Sequence, residues 1–96
     1  MAGAATVGTV TAGHDGYPPV VMPVGSPSEF INGKPALRKG DGGVTHTKPK
    51  SSPHEVVVSG GSSTVMINGI PAARIGDPCA CGDTLASNGS SNVSVG

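Results

Sequence analysis

A seventeen-residue segment occurs twice in this chain, and it limits the possible fold more than any other feature. GSPSEFINGKPALRKGD, residues 25–41, aligns without gaps with GSSTVMINGIPAARIGD, residues 61–77, and ten of the seventeen positions are identical. At the centre of each copy an Asn-Gly pair stands between apolar residues. Asn32-Gly33 and Asn68-Gly69 both suit the two positive φ angles of a type I′ turn, so each copy predicts a β-hairpin closed by a two-residue loop. A Gly-Asp pair follows each hairpin, at Gly40-Asp41 and Gly76-Asp77, and predicts a further turn with Asx-type bonding. Arg38 and Arg74 recur with the repeat and read as residues that orient these turns or their carboxylates.

A third copy is divided between the two ends. In GSSNVSVG, residues 89–96, Gly89, Ser90, Ser91 and Val93 correspond to Gly61, Ser62, Ser63 and Val65. GAATVGTVTAGH, residues 3–14, supplies the other half, placing Ala4 on Ala36, Gly8 on Gly40 and His14 on His46. A ring of three such units closes only if the N- and C-terminal segments lie side by side. The expected fold class is therefore all-β: a small cone-shaped domain of β-hairpins with pseudo-three-fold symmetry, spanning residues 1–96 as a single domain. No stretch shows a sustained helical period.

Composition agrees and adds one requirement. Sixteen glycines and nine prolines accompany one Phe, one Tyr and no Trp in 96 residues. Without a period, such a chain would read as disordered. With one, it reads as many tight turns joining short, valine-rich strands. Its core must be thin, and small domains with thin cores rely on a disulfide or a metal. Cys79 and Cys81 stand in PCACG, where a bridge would close a very small strained ring, leaving metal binding or free thiols. Net charge is zero and the basic residues are scattered, which disfavours nucleic acid as the main partner. The first residues lack the basic start and apolar run of a signal peptide, and no stretch approaches a membrane-spanning length.

The repeat alignment singles out a metal site. His14 and His46 are equivalent, five residues after the Gly-Asp slot; the matching position in the other copy is Gly82, immediately preceded by Cys81. Three such corners can converge on the pseudo-three-fold axis. The longest connector, residues 47–60, carries the remaining histidine, His54. His14, His46, His54 and Cys81 form an N/S set that suits a closed, tetrahedral structural zinc, with iron as the alternative. Cys79 competes with Cys81, and Glu55 stands where it could support His54. There is no catalytic constellation: no phosphate loop, nucleophile elbow or usefully spaced carboxylate pair.

Pro71-Ala72-Ala73-Arg74 within GSSTVMINGIPAARIGD, and its near match Pro35-Ala36-Leu37-Arg38, resemble the PAAR-repeat family of spike-tip proteins. The resemblance covers nearly the whole chain. It implies a short cone that caps a trimeric spike protein in a type VI secretion system or a contractile phage tail, with zinc near its point at His14, His46, His54 and Cys81. The N-terminal copy departs from the family pattern: ATVGT puts Thr6 and Thr9 where Arg and Asp are usual, which puts that local turn in doubt. Phe30, Met66 and Val93 are the candidate contacts to the spike. Read this way, the chain is a bare tip without an effector extension, assembled in the cytoplasm and then driven out or carried in the virion tail, with any effector cargo attached non-covalently. The rival readings are a cargo adaptor that shares the fold and a small zinc hydrolase, which would need an open coordination position.

Overall fold

The computed structural model describes residues 2–96 and, among them, contains strands and turns but no helix. Ten short strands follow one another: β1 Ala2–Gly3, β2 Val10–Thr11, β3 Phe30–Ile31, β4 Lys34–Pro35, β5 Gly42–His46, β6 His54–Val57, β7 Met66–Ile67, β8 Ile70–Pro71, β9 Leu85–Ser87 and β10 Ser94–Val95. They pair antiparallel in five two-stranded ladders, β1 with β10, β2 with β9, β3 with β4, β5 with β6 and β7 with β8.

Both Asn-Gly pairs make the predicted turn. Asn32 and Gly33 have φ of 53° and 77°, Asn68 and Gly69 of 56° and 75°, the left-handed pair a type I′ loop requires. Phe30 then faces Pro35, and Met66 faces Pro71. The third hairpin is made by the two ends of the chain: Ser94 faces Gly3 and Val95 faces Ala2, in the same register. By that register the counterpart of Phe30 and Met66 is Ser94, one residue beyond Val93.

Two-residue strands are marginal alone; a closed ring of backbone bonds joins these into one object. Leu37 N–H donates to Ala5 O, Ala5 N–H to Ala73 O, and Ala73 N–H to Leu37 O, each at 3.0 Å. These three residues are equivalent in the repeat, so the bonds run once around the axis and return. One step further along each copy, Lys39, Val7 and Ile75 N–H donate to Pro71, Pro35 and Gly3 O, each at 2.9 Å. Three serines close the same cycle through side chains. Ser26 Oγ donates to Asn68 Oδ1 (2.6 Å), Ser90 Oγ to Asn32 Oδ1 (2.7 Å), and Ser62 Oγ to Gly96 O. Gly25, Gly61 and Gly89 precede them because the chain passes so close to its neighbour. A Cβ at these positions would stand 2.6, 3.1 and 2.9 Å from the equivalent carbonyl oxygens of Ala36, Ala72 and Ala4.

The turn placed in doubt by Thr6 and Thr9 forms nonetheless. In the intact copies an Asp carboxylate accepts from the backbone three residues earlier: Arg38 N–H to Asp41 Oδ2 at 2.9 Å and Arg74 N–H to Asp77 Oδ2 at 2.7 Å. In the third copy Thr9 Oγ1 accepts from Thr6 N–H at 3.0 Å. The hydroxyl replaces the carboxylate, and both threonines are buried. What is lost is the ion pair. Arg38 and Arg74 each grip their Asp with two guanidinium nitrogens, and that hydrogen bonding raises both arginine pKa values above the ordinary one.

The core is as thin as the composition requires. Its largest fully buried side chains are Met22, Leu37, Leu85, Val56 and Val58. Ala5, Leu37 and Ala73 form one layer of equivalents, and Met22, Val58 and Leu85 pack with them. A smaller cluster of Ala4, Ala72, Val95, Ile31 and Ile67 fills the hairpin end. The molecule is elongated, 39 Å by 23 Å by 22 Å.

Candidate metal centre

From the ring, each copy sends its chain on toward the same end. β5 carries His46 and pairs with β6, where His54 is its direct cross-strand partner. The two histidines thus belong to one hairpin, whose turn is KPKS, residues 48–51. His14 starts a second, very tight hairpin. It exchanges both backbone hydrogen bonds with Tyr17 (3.2 and 2.7 Å) across Asp15 and Gly16, whose φ values of 45° and 83° are again those of a type I′ loop. Cys81 comes from the third corner, in a turn where Gly82 N–H donates to Cys79 O at 3.0 Å. Gly82 itself has a φ of 101° and lies against the His14 ring.

These elements bring all four predicted residues together: one ligand atom from each of His14, His46, His54 and Cys81 lies within 4.8 Å of every other. His14 Nε2 is 3.3 Å from His46 Nε2 and 3.2 Å from His54 Nε2. Around a zinc-sized ion with M–N bonds of about 2.0–2.1 Å, the nitrogen–nitrogen edges of a tetrahedron are about 3.3 Å. His14 Nε2 already stands at that spacing from both other nitrogens.

The chemistry of the donors fits a cation as well. His46 Nδ1 donates to Pro18 O at 3.1 Å, which leaves Nε2 with its lone pair aimed at the cluster. His14 Nδ1 faces Asp15 Oδ2 at 3.5 Å. The His54 pKa is held below its usual 6.5, first by partial burial and then by the charges of His46, His14 and Lys48, so the neutral form that can ligate is favoured. Asp83 is 1% exposed; its Oδ1 accepts from Gly13 and Thr84 N–H while Oδ2 has no partner. A buried carboxylate left half-satisfied, close enough to act on His54, suits a site that would hold a cation.

Cys79 is not a member of the cluster. It is buried in the apolar core and bridges backbone to Val58. Burial, followed by the charges at Cys81 and Asp83, pushes its thiol up to about 12. Glu55 is exposed. Tyr17 was not singled out from sequence, yet its ring lies 5.2, 4.8 and 4.0 Å from the ring centres of His14, His46 and His54. The Asp15-Gly16 pair between His14 and Tyr17 was the signal available for it.

At the opposite side of the ring, Phe30 and Met66 are 58% and 51% exposed. Val93 is exposed beside Ser94, at the level of Val65 in its own copy.

A family model for the PAAR motif matches residues 4–87. The chain belongs to the PAAR family. The match runs from the first half of the divided repeat through the second complete copy to β9, and it includes all four residues of the cluster. Membership supports a spike-tip-associated role in secretion or phage systems. A search of curated proteins finds no match to this chain.

Proposed function

We propose that this PAAR chain is a structural spike tip that caps a trimeric β-spike and sharpens it for membrane piercing by a contractile injection machine, either a type VI secretion system or a phage tail. The observation that carries this reading is the closed ring of three register-equivalent hairpins. A single chain with that pseudo-symmetry can meet a true three-fold partner with three similar faces, covering strand edges that would otherwise be open. Phe30 and Met66 give the hairpin end apolar groups to bury there, with Ser94 at the third position and Val93 beside it.

The opposite end must resist load where the core is scarcest. One structural zinc held by His14, His46, His54 and Cys81 would tie all three corners and the long connector together, leaving no open coordination position. In this reading the cone is assembled in the cytoplasm and leaves with the machine or the virion tail. The zinc hydrolase reading is disfavoured by the same four-residue set, which would leave no ligand position for water. The adaptor reading predicts binding to cargo without affinity for a spike.

The test is association with a purified trimeric spike protein. One PAAR chain per trimer is expected, and Phe30→Asp with Met66→Asp should weaken it by at least about 30-fold, the size of an interface hot spot, with metal content unchanged. Absence of a complex, or an unchanged affinity in the double variant, contradicts the proposal.

A further inference from the structure

Tyr17 packs against all three imidazoles and is itself held by its neighbours. Its ring is stacked on His14 at an interplanar angle of 20° and on His46 at 28°, and its centre comes within 4.0 Å of that of His54. The two-residue loop Asp15-Gly16 fixes its backbone against His14. Its hydroxyl donates to Ser52 O at 2.7 Å, reaching across to the connector between β5 and β6. Lys48 Nζ lies 4.8 Å from the Tyr17 ring centre and also donates to Asp15 O, so the same connector holds both the ring and its turn. Pro18, the next residue, supplies the carbonyl that orients His46.

Among the described residues no other Phe or Tyr ring stacks on the cluster, and the composition offers few: the only tyrosine stands here. An aromatic face laid over three ligating rings restricts their rotation and keeps water from the nitrogens. A metal leaves such a site one ligand at a time, and each departure needs an imidazole to turn away and a water or chelator to enter. The Tyr17 ring obstructs both motions for all three histidines, and it can lift only if its bond to Ser52 breaks.

Resting on the metal-centre reading above, we infer that Tyr17 is a positioning residue that acts as a latched lid, with the ring as the lid and the hydroxyl bond to Ser52 as the latch, and that it sets how slowly the metal exchanges. It contributes no ligand atom, so occupancy and coordination geometry do not depend on it.

The experiment loads the full chain with Co2+, whose visible spectrum reports a tetrahedral N/S shell, and follows its release to an excess of chelator. Tyr17→Ala should keep one Co2+ per chain and the parent spectrum but release the ion at least about tenfold faster, within the range seen when groups behind metal ligands are removed. Tyr17→Phe keeps the ring and loses the latch, and its release rate should fall between the two. Release from Tyr17→Ala within twofold of the parent overturns the lid, as does a changed spectrum, which would make Tyr17 part of the coordination geometry. If the alanine variant does not fold, Tyr17→Phe decides: a rate equal to the parent's overturns the latch. A parent chain that takes up no Co2+ overturns the metal centre itself, a failure distinct from a loaded parent whose Tyr17 variants release no faster.

Discussion

Thr9 shows how much one oxygen atom can carry. It is fully buried, and its hydroxyl is the acceptor for Thr6 N–H in the position where Asp41 and Asp77 serve the other two copies. The substitution leaves the turn intact because the turn needs an acceptor at that point and does not need a charge. Thr9→Val keeps the shape and removes the acceptor, leaving a buried N–H unpaired. It should cost about 1–3 kcal/mol in chemical denaturation, whereas Thr9→Ser should cost much less. Equal losses in the two variants would show that packing, and not the hydrogen bond, holds this turn. The same reasoning separates the two cysteines. Both stand in PCACG, yet Cys79 is buried against Val58 as a neutral thiol while Cys81 faces the histidines, a difference that depends on which side of a turn each residue falls.

Among the elements, hairpins with a local signal were legible and those made by distant segments were legible only through the repeat. Asn32-Gly33 and Asn68-Gly69 announce their turns because few residue pairs accept two consecutive positive φ angles. The pairing of β1 with β10 has no turn to announce it; it followed from aligning Gly89 with Gly61 and Ala4 with Ala36. The length of connector 47–60 predicts that it carries His54 to the site; in the fold it includes half of a hairpin in which His54 faces His46. Val56 and Val57 on β6 pair with Val44 and Gly42 across a bulge, and a bulge erases the alternation by which a strand is recognised. The Asp15-Gly16 pair is also a local turn signal, and the turn it makes is what sets Tyr17 against His14. The equivalence of the three hairpins has a direct consequence. A circular permutant opened between Asn68 and Gly69, with the original ends joined through an Asn-Gly turn, should fold, bind metal, and melt within about 5 °C of the parent, a difference of about 1 kcal/mol. A permutant that fails to fold contradicts the equivalence.

At the scale of the whole molecule, the ring holds the middle of the cone, and a metal at the His/Cys cluster would hold its end. Backbone bonds close the middle of the cone and need no large side chains, which is how a chain with so few aromatics holds a defined shape. At the end where His14, His46, His54 and Cys81 meet, local hairpin and turn bonds position the chain, and the polar cluster stands in place of a core. A metal bound at about a thousand times its dissociation constant would add about 4 kcal/mol to folding, a large share of what a domain this small retains. The most direct test is elemental analysis of the natively purified chain. The account predicts about one zinc per chain. A folded protein that carries no metal would contradict it.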